Sequence, residues 1–232
     1  MKAMAIVAHP DDESIFFGGL ILKYRQWNWK VICVTDGNAE SHGESRKKQF
    51  ESACEALGVR SFEVFGFPDL YDKRLDTGRL IERLRKIRGM NRIFTHNTLG
   101  EYGHIHHQDV SYSVHQAFPK HPHLLEVGYN IYPDLFVKST HQQYLKKTKI
   151  FLDIYRDEVN RFLNLLPAAA VEGFSRVGMA ENETLYKYLS EGLALREDCI
   201  KKHKWLLPYI KEGRVQRLGN LFFNIYFNQD GN

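Results

Sequence analysis

Cysteine is scarce in this 232-residue chain: Cys33, Cys54 and Cys199 stand alone, with no C-x-x-C spacing. Three isolated thiols exclude a disulfide framework and a thiolate metal site, and they point to a reducing compartment. Long apolar runs are missing as well; none approaches the roughly 18 residues that span a bilayer. His9-Pro10-Asp11-Asp12-Glu13 breaks any apolar signal region near the start. A cytoplasmic protein with no membrane span is therefore expected. No Gly-x-Gly-x-x-Gly follows the first apolar run, which removes the usual dinucleotide cradle. Charge of one sign is lacking too. The net charge is +4, and the basic stretches Arg83 to Arg92 and Lys201 to Lys204 are broken by apolar residues. That is the pattern of solvated helix faces, and no nucleic-acid partner is expected. Repeats, low-complexity segments, linkers and any signature of an oligomeric state are likewise missing.

Short apolar runs alternating with helical patterns fill the first half of the chain. Ala3 to Ala8 reads as a strand, Ile15 to Trp29 as a helix, Lys30 to Thr35 as a second strand closed by Asp36-Gly37-Asn38. Ser45 to Leu57 is amphipathic and stops at Gly58, a residue suited to a left-handed helix end. Ser61 to Phe65, Thr77 to Ile87 and Asn91 to His96 continue the alternation as strand, helix and strand. This order predicts right-handed βαβ crossovers and a mostly parallel, Rossmann-like α/β sheet flanked by helices. Later in the chain, Leu124 to Ile131 and Leu218 to Phe227 read as strands; Tyr144 to Leu166 and Leu185 to Ile200 read as helices. One domain over 1–232 is expected, with the core at about 1–135 and a helical elaboration at about 136–232.

Topology alone assigns a crevice. With strand order 3-2-1-4 the sheet reverses between strands one and four, and ligands bind outside the carboxyl ends of strands at such a point. The loop after Ala8 and the loop Asn97 to His107 then face each other. The first holds His9, Asp11, Asp12 and Glu13; the second holds His104, His106 and His107. A catalytic zinc takes three nitrogen or oxygen ligands and keeps a position for water. His9, Asp12 and one histidine of the second loop supply that set, leaving Asp11 to take the proton of water whose pKa is lowered toward about 7. A remaining histidine would stabilise an oxyanion or protonate a leaving nitrogen. Taken singly these residues have plainer roles: Asp11 or Asp12 as a helix cap, the histidines as loop polarity. Two facing clusters, each with i, i+3 spacing, favour metal-assisted hydrolysis of an amide or ester.

Ala8-His9-Pro10-Asp11-Asp12-Glu13, then Gly18-Gly19, Thr35-Asp36-Gly37 and Gly103-His104-x-x-His107 resemble the motifs of the LmbE-like, or PIG-L, family of zinc-dependent N-deacetylases. The resemblance covers roughly residues 1–115. It implies a hydrolase that removes acetyl from an N-acetylglucosamine-type conjugate, a small-molecule partner, and a Zn2+ cofactor, with Fe2+ as another divalent choice. It further implies that His9, Asp12 and His107 ligate the metal, that Asp11 is the general base and that His104 is the electrophilic or acid histidine. Arg46 would reach the substrate, or stand as an exposed helix charge. Tyr102 would contact a sugar or pack in the core. Asp36 supports a ligand histidine or forms an Asx turn, Glu13 is a helix-start or supporting residue, and His106 has a supporting role. Two departures stand out: His104-Ile105-His106-His107 replaces a His-Pro-Asp-His pattern, and Gln49 stands where many members carry Glu. The rival readings are a catalytically silent sugar- or nucleotide-binding module and a metal-dependent hydrolase of another amide or ester.

Overall fold

A computed structural model of the chain describes residues 1–39, 41–156 and 170–214. The first half alternates β1 (Lys2–Val7), α1 (Asp12–Lys23), β2 (Asn28–Thr35), α2 (Gly43–Leu57), β3 (Ser61–Phe67), α3 (Thr77–Leu84), β4 (Arg92–Thr95), α4 (Ile105–Ala117) and β5 (Leu124–Val127). It continues through β6 (Leu135–Lys138), α5 (His141–Asp153), β7 (Val171–Ser175), α6 (Met179–Glu191) and α7 (Leu207–Lys211). The seven strands form one sheet in the order β3-β2-β1-β4-β5-β7-β6. β3 through β5 run parallel, and β7 is antiparallel to both β5 and β6. The mostly parallel α/β sheet and the reversal between β1 and β4 match the expected order. The elaboration is not purely helical, because β6 and β7 extend the same sheet.

β1 shows why this order is stable. Ala3, Ala5 and Val7 pack with Phe17, Leu20, Ile21 and Phe50 under α1 and α2. Met4, Ile6 and Ala8 pack with Leu80, Leu84, Val110 and Val114 under α3 and α4. The two-residue period of a strand thus feeds two separate apolar layers, as a sheet covered on both faces requires. α1 ends at Lys23, earlier than its apolar pattern suggests, because Trp29 is needed in β2, where it is fully buried. Tyr24, Trp27 and Trp29 stack in series across that turn. α6 spans Met179–Glu191 in place of the expected 185–200. The expected strand Leu218 to Phe227 and the second half of the expected helix ending at Leu166 lie outside the described residues.

The second half is tied to α1 by a buried ion pair. Lys147 Nζ on α5 donates to Glu172 Oε1 on β7 and to the Ile15 carbonyl, each at 2.7 Å. The Glu172 carboxylate accepts the backbone N–H groups of Gly19 (2.6 Å) and Leu20 (2.7 Å). The ammonium thus meets the carbonyl four residues before Gly19, and the carboxylate takes that residue's N–H. A Cβ at position 19 would lie 3.0 Å from Glu172 Oε1 and from Ser139 Oγ, so glycine is what admits this close approach. A third apolar cluster, with Leu99, Leu185, Ile200, Leu207 and Ile210, seats the last helices on the loop after β4. Beneath it Glu126 is fully buried at the end of β5 and accepts from Thr98 N (3.1 Å) and Thr98 Oγ1 (2.7 Å). Burial pushes its carboxyl up to about 8.

Candidate metal centre

Two strand ends build the site. As the chain leaves β1, the Ala8 carbonyl accepts from Thr35 N (2.9 Å) and Thr35 Oγ1 (2.8 Å), which locks the ends of β1 and β2 together. Asp11 then turns the chain into α1 with φ 121° and ψ −34°, a conformation that side-chain-bearing residues avoid. Such strain costs on the order of 1–3 kcal/mol and persists only when neighbours over-determine it. Here they do. Glu13 Oε2 accepts the Asp11 N–H at 3.0 Å, and Arg46 Nη2 reaches both Asp11 Oδ2 (2.5 Å) and the Pro10 carbonyl (2.6 Å). Gly37 leaves room for this turn: a Cβ there would come within 2.9 Å of Pro10. Glu13 is fixed in turn by Ser14 Oγ (2.6 Å) and the Tyr155 hydroxyl (2.8 Å), and burial lifts its carboxyl to about 7.

The second strand end brings His107 to the first. His9 Nδ1 lies 3.2 Å from His107 Nε2 and 3.4 Å from Asp12 Oδ2, and His107 Nε2 lies 3.5 Å from Asp12 Oδ2. Zinc–ligand bonds of about 2.0–2.1 Å at tetrahedral angles separate neighbouring ligand atoms by roughly 3.3 Å. The triangle has that size, and its corners are two imidazole nitrogens and one carboxylate oxygen, the donor types of a zinc site, so the set fits a metal. His9, Asp12 and His107 are brought together, as the motif pattern required of a ligand set.

Partners behind the triangle fix each ring. Glu101 Oε2 meets His107 Nδ1 at 2.7 Å and Oε1 meets His96 Nδ1 at 3.2 Å. The Ala8 N–H donates to His96 Nε2 at 2.9 Å, so the proton of that ring sits on Nδ1, facing Glu101. His107 likewise gives its Nδ1 proton to Glu101 and presents a free Nε2. A carboxylate behind a ligating histidine sets its tautomer and raises its basicity. Burial alone would raise the Glu101 carboxyl, but His96 and His107 hold it at about 2. Burial also works against ionisation of Asp12, and the His107 and His96 rings nevertheless hold it well below the usual carboxylate range. Burial and the neighbouring His96 push His107 down to about 4.

His104 caps α4, and its Nδ1 accepts the His106 N–H at 3.2 Å. Its proton therefore sits on Nε2. Its ring lies 4.6 Å from that of His9 and 4.7 Å from that of His107, centre to centre. Burial, then His9 and His107, hold His104 well below the usual imidazole value, so it stays neutral near pH 7. Tyr102 packs edge-on against His104 and His107. His106 donates from Nε2 to the Lys73 carbonyl at 2.8 Å and turns Nδ1 toward His9. Asp36 spends its Oδ1 on the backbone amides of Asn38 (3.0 Å) and Asp69 (3.1 Å), an Asx turn that also holds the next strand's loop. Gln49 reaches from α2 to the Ile154 carbonyl at 2.9 Å, so the missing acidic residue is replaced by a tie to the end of α5.

Three residues lie at the site without having been singled out from the sequence: Glu101, His96 and Asp69. None of them belongs to a motif read from the sequence. The available signal was position, because Asp69 follows β3 as His96 follows β4, both at the carboxyl edge of the sheet.

Sheet order, strand-end site and histidine–aspartate triangle define a class: an α/β protein whose topological switch point gathers residues that could hold a metal. Residues 4–118 match the family model described as PIG-L: GlcNAc-PI de-N-acetylase. Through these residues the chain belongs to the PIG-L family. The N-acetylglucosaminyl-phosphatidylinositol de-N-acetylase of Bos taurus is 30% identical over 123 residues, 49% of this chain and 49% of that protein. The chain thus spans about half the length of that curated relative. Among solved structures, the N,N'-diacetylchitobiose deacetylase from Pyrococcus horikoshii superposes with a TM-score of 0.55 at 22% identity, covering 75% of this chain and 82% of that one. A 4-carboxy-2-hydroxymuconate hydratase from Pseudomonas putida has a TM-score of 0.50 at 16% identity, covering 75% and 95%. Likeness at this level shows the fold, which hosts more than one reaction. Among the described residues no helix is long and apolar enough to cross a membrane.

Proposed function

We propose that this chain is a metal-dependent N-deacetylase that converts an N-acetylated amino sugar, of the N-acetylglucosamine-conjugate type, to a free amine and acetate. The observation that carries the proposal is the 3.2–3.5 Å triangle of His9, Asp12 and His107 with Asp11 adjoining it outside the ligand set. A divalent cation held there, zinc by its preference for imidazole and carboxylate donors with Fe2+ as the other choice, polarises a carbonyl and lowers the pKa of water toward about 7. Asp11 is the base that takes a proton from the attacking water and passes it to the departing amine. The Arg46 guanidinium, bonded to Asp11 and to Pro10, keeps that carboxylate in place and offers a cation to substrate oxygen. His104 is neutral, with its proton on Nε2, and donates a hydrogen bond to the oxyanion that forms when water adds to the amide. Tyr102 forms an aromatic wall beside His104.

The test is amine and acetate release from a panel of N-acetylglucosamine conjugates with zinc added, run beside Asp11→Asn. Acetate release is expected from the native chain. Asp11→Asn is expected to lower turnover by about 10²–10⁴-fold, the usual worth of a positioned base, while bound zinc by elemental analysis is unchanged. Retained turnover would remove Asp11 from its role. Zinc bound with no acetate from any conjugate would leave the silent-module reading, and preference for other acyl groups the alternative hydrolase.

A further inference from the structure

The His9 ring has two nitrogens, and the triangle above uses one. Its Nε2 faces a second group of ligand atoms: His106 Nδ1 at 3.1 Å and Asp69 Oδ1 at 3.5 Å. His106 Nδ1 and Asp69 Oδ1 are themselves 3.3 Å apart. These edges, 3.1, 3.3 and 3.5 Å, bracket the roughly 3.3 Å expected between neighbouring ligands of one tetrahedral zinc. His106 gives its Nε2 proton to the Lys73 carbonyl at 2.8 Å, so Nδ1 carries a lone pair. Asp69 contributes a carboxylate oxygen. Two acceptors therefore converge on one ring nitrogen of His9, and a single proton there can be well bonded to only one of them. The His104 ring stands beside them, with ligand-type nitrogens of His9, His104 and His106 within 4.8 Å of one another.

We propose that His9 Nε2, His106 Nδ1 and Asp69 Oδ1 form a second divalent-cation site that shares the His9 ring with the first. The donors are imidazole and carboxylate, which select a zinc-class cation. When the second cation binds, His9 Nε2 releases its proton to solvent. Losing that proton makes the second site the weaker one, so it fills only after the first. Filling it places a cation beside the His104 ring and lowers turnover. That last consequence rests on the deacetylase reading; the site itself does not.

Metal-free protein is titrated with zinc, and bound metal per chain is counted by elemental analysis after gel filtration at each concentration. Cobalt absorption spectra are recorded in parallel. Two zinc ions per chain are expected, binding in separable steps, with turnover falling as the second step fills. His106→Gln and Asp69→Asn, checked for native circular dichroism, are each expected to keep the first step. They are expected to weaken the second at least tenfold and to lose the inhibition by excess zinc. A single zinc per chain at saturation overturns the second site and leaves the first intact. Retention of the second step in both variants also overturns it. No zinc at either step overturns this site together with the metal centre of the proposed function.

Discussion

Helix α1 carries buried charge at two places, and the two are built on opposite principles. At its first residue, the Asp12 carboxylate takes the His9 N–H at 2.8 Å and faces ring nitrogens of His9 and His107 at 3.4 and 3.5 Å. At its middle, Lys147 and Glu172 enter from the second half of the chain. There the ammonium meets a carbonyl and a carboxylate, and the carboxylate meets two amides. The second arrangement matches one ammonium to one carboxylate. The first gathers several imidazoles round one carboxylate, so its balance depends on a proton or a cation shared among the rings. Burial of ionisable groups is common to both, so burial by itself does not mark a site; the convergence of ligand-type side chains does.

The largest test of the comparison cuts the matched pair. Lys147→Met leaves the Glu172 carboxylate buried against two amides without its cation, and breaking such a pair costs about 3–5 kcal/mol. Urea unfolding should show that loss. The double change Lys147→Met with Glu172→Gln should recover a large part of it, whereas equal instability of single and double variants would mean that the pair is not the source. A smaller effect is expected behind the imidazole cluster. Glu101→Gln still fills its space but no longer fixes the His107 tautomer as a carboxylate. Metal affinity should fall by about 10–100-fold, the usual worth of such a partner, with the unfolding midpoint of the metal-free protein little changed. A variant that loses stability and keeps its zinc affinity would place Glu101 with the matched kind of charge.

The last test reads a slope and concerns Glu126, which belongs to neither arrangement. Burial raises its folded-state carboxyl from 4.5 to about 8. The folded chain therefore binds more protons than the unfolded one between those values. The stability this group contributes is fully present below about 4.5 and is lost as pH rises through about 8, at up to about 1.4 kcal/mol per pH unit. Glu126→Gln should flatten that part of a stability-versus-pH curve measured by urea unfolding. An unchanged slope would show that other groups set it.

The half of the site carried by motifs was legible because each motif sits at a strand end. The apolar runs from Ala3, Lys30, Ser61 and Asn91 marked the strands, and the 3-2-1-4 order taken for them put His9 and Asp12 opposite His107. Residues that act singly were not legible. Glu101 reaches His107 from a turn with φ 53°, and no spacing rule predicts that a carboxylate there folds back onto a ring six residues on. β6 and β7 escaped for a different reason. Leu135–Lys138 is four residues long, and Val171–Ser175 contains both Gly173 and Glu172, so neither shows the apolar run of a central strand. Glu172 reads as a surface acid until its partner is found 25 residues earlier on α5. Apolar pattern also ran on too far in α1, because Tyr24, Trp27 and Trp29 continue it through a turn and into β2. What the sequence hides in each case is a contact made at long range by one residue.

The sheet order carries a consequence for synthesis. β6 is made before β7, yet among the described residues its one strand neighbour is β7, more than 30 residues further along. As the chain leaves the ribosome, β1 through β5 can assemble in the order they appear, but the edge strand has nowhere to bind until β7 arrives to lie between it and β5. Glu172 arrives on that same strand. Until then the Gly19 and Leu20 amides lack the carboxylate they meet in the finished protein, and Lys147 lacks its counter-charge. The helix that bears Asp12 therefore receives these backbone partners only after β1 through β6 have been translated, so a chain stopped before β7 would hold the proposed metal ligands in sequence without the brace beneath them.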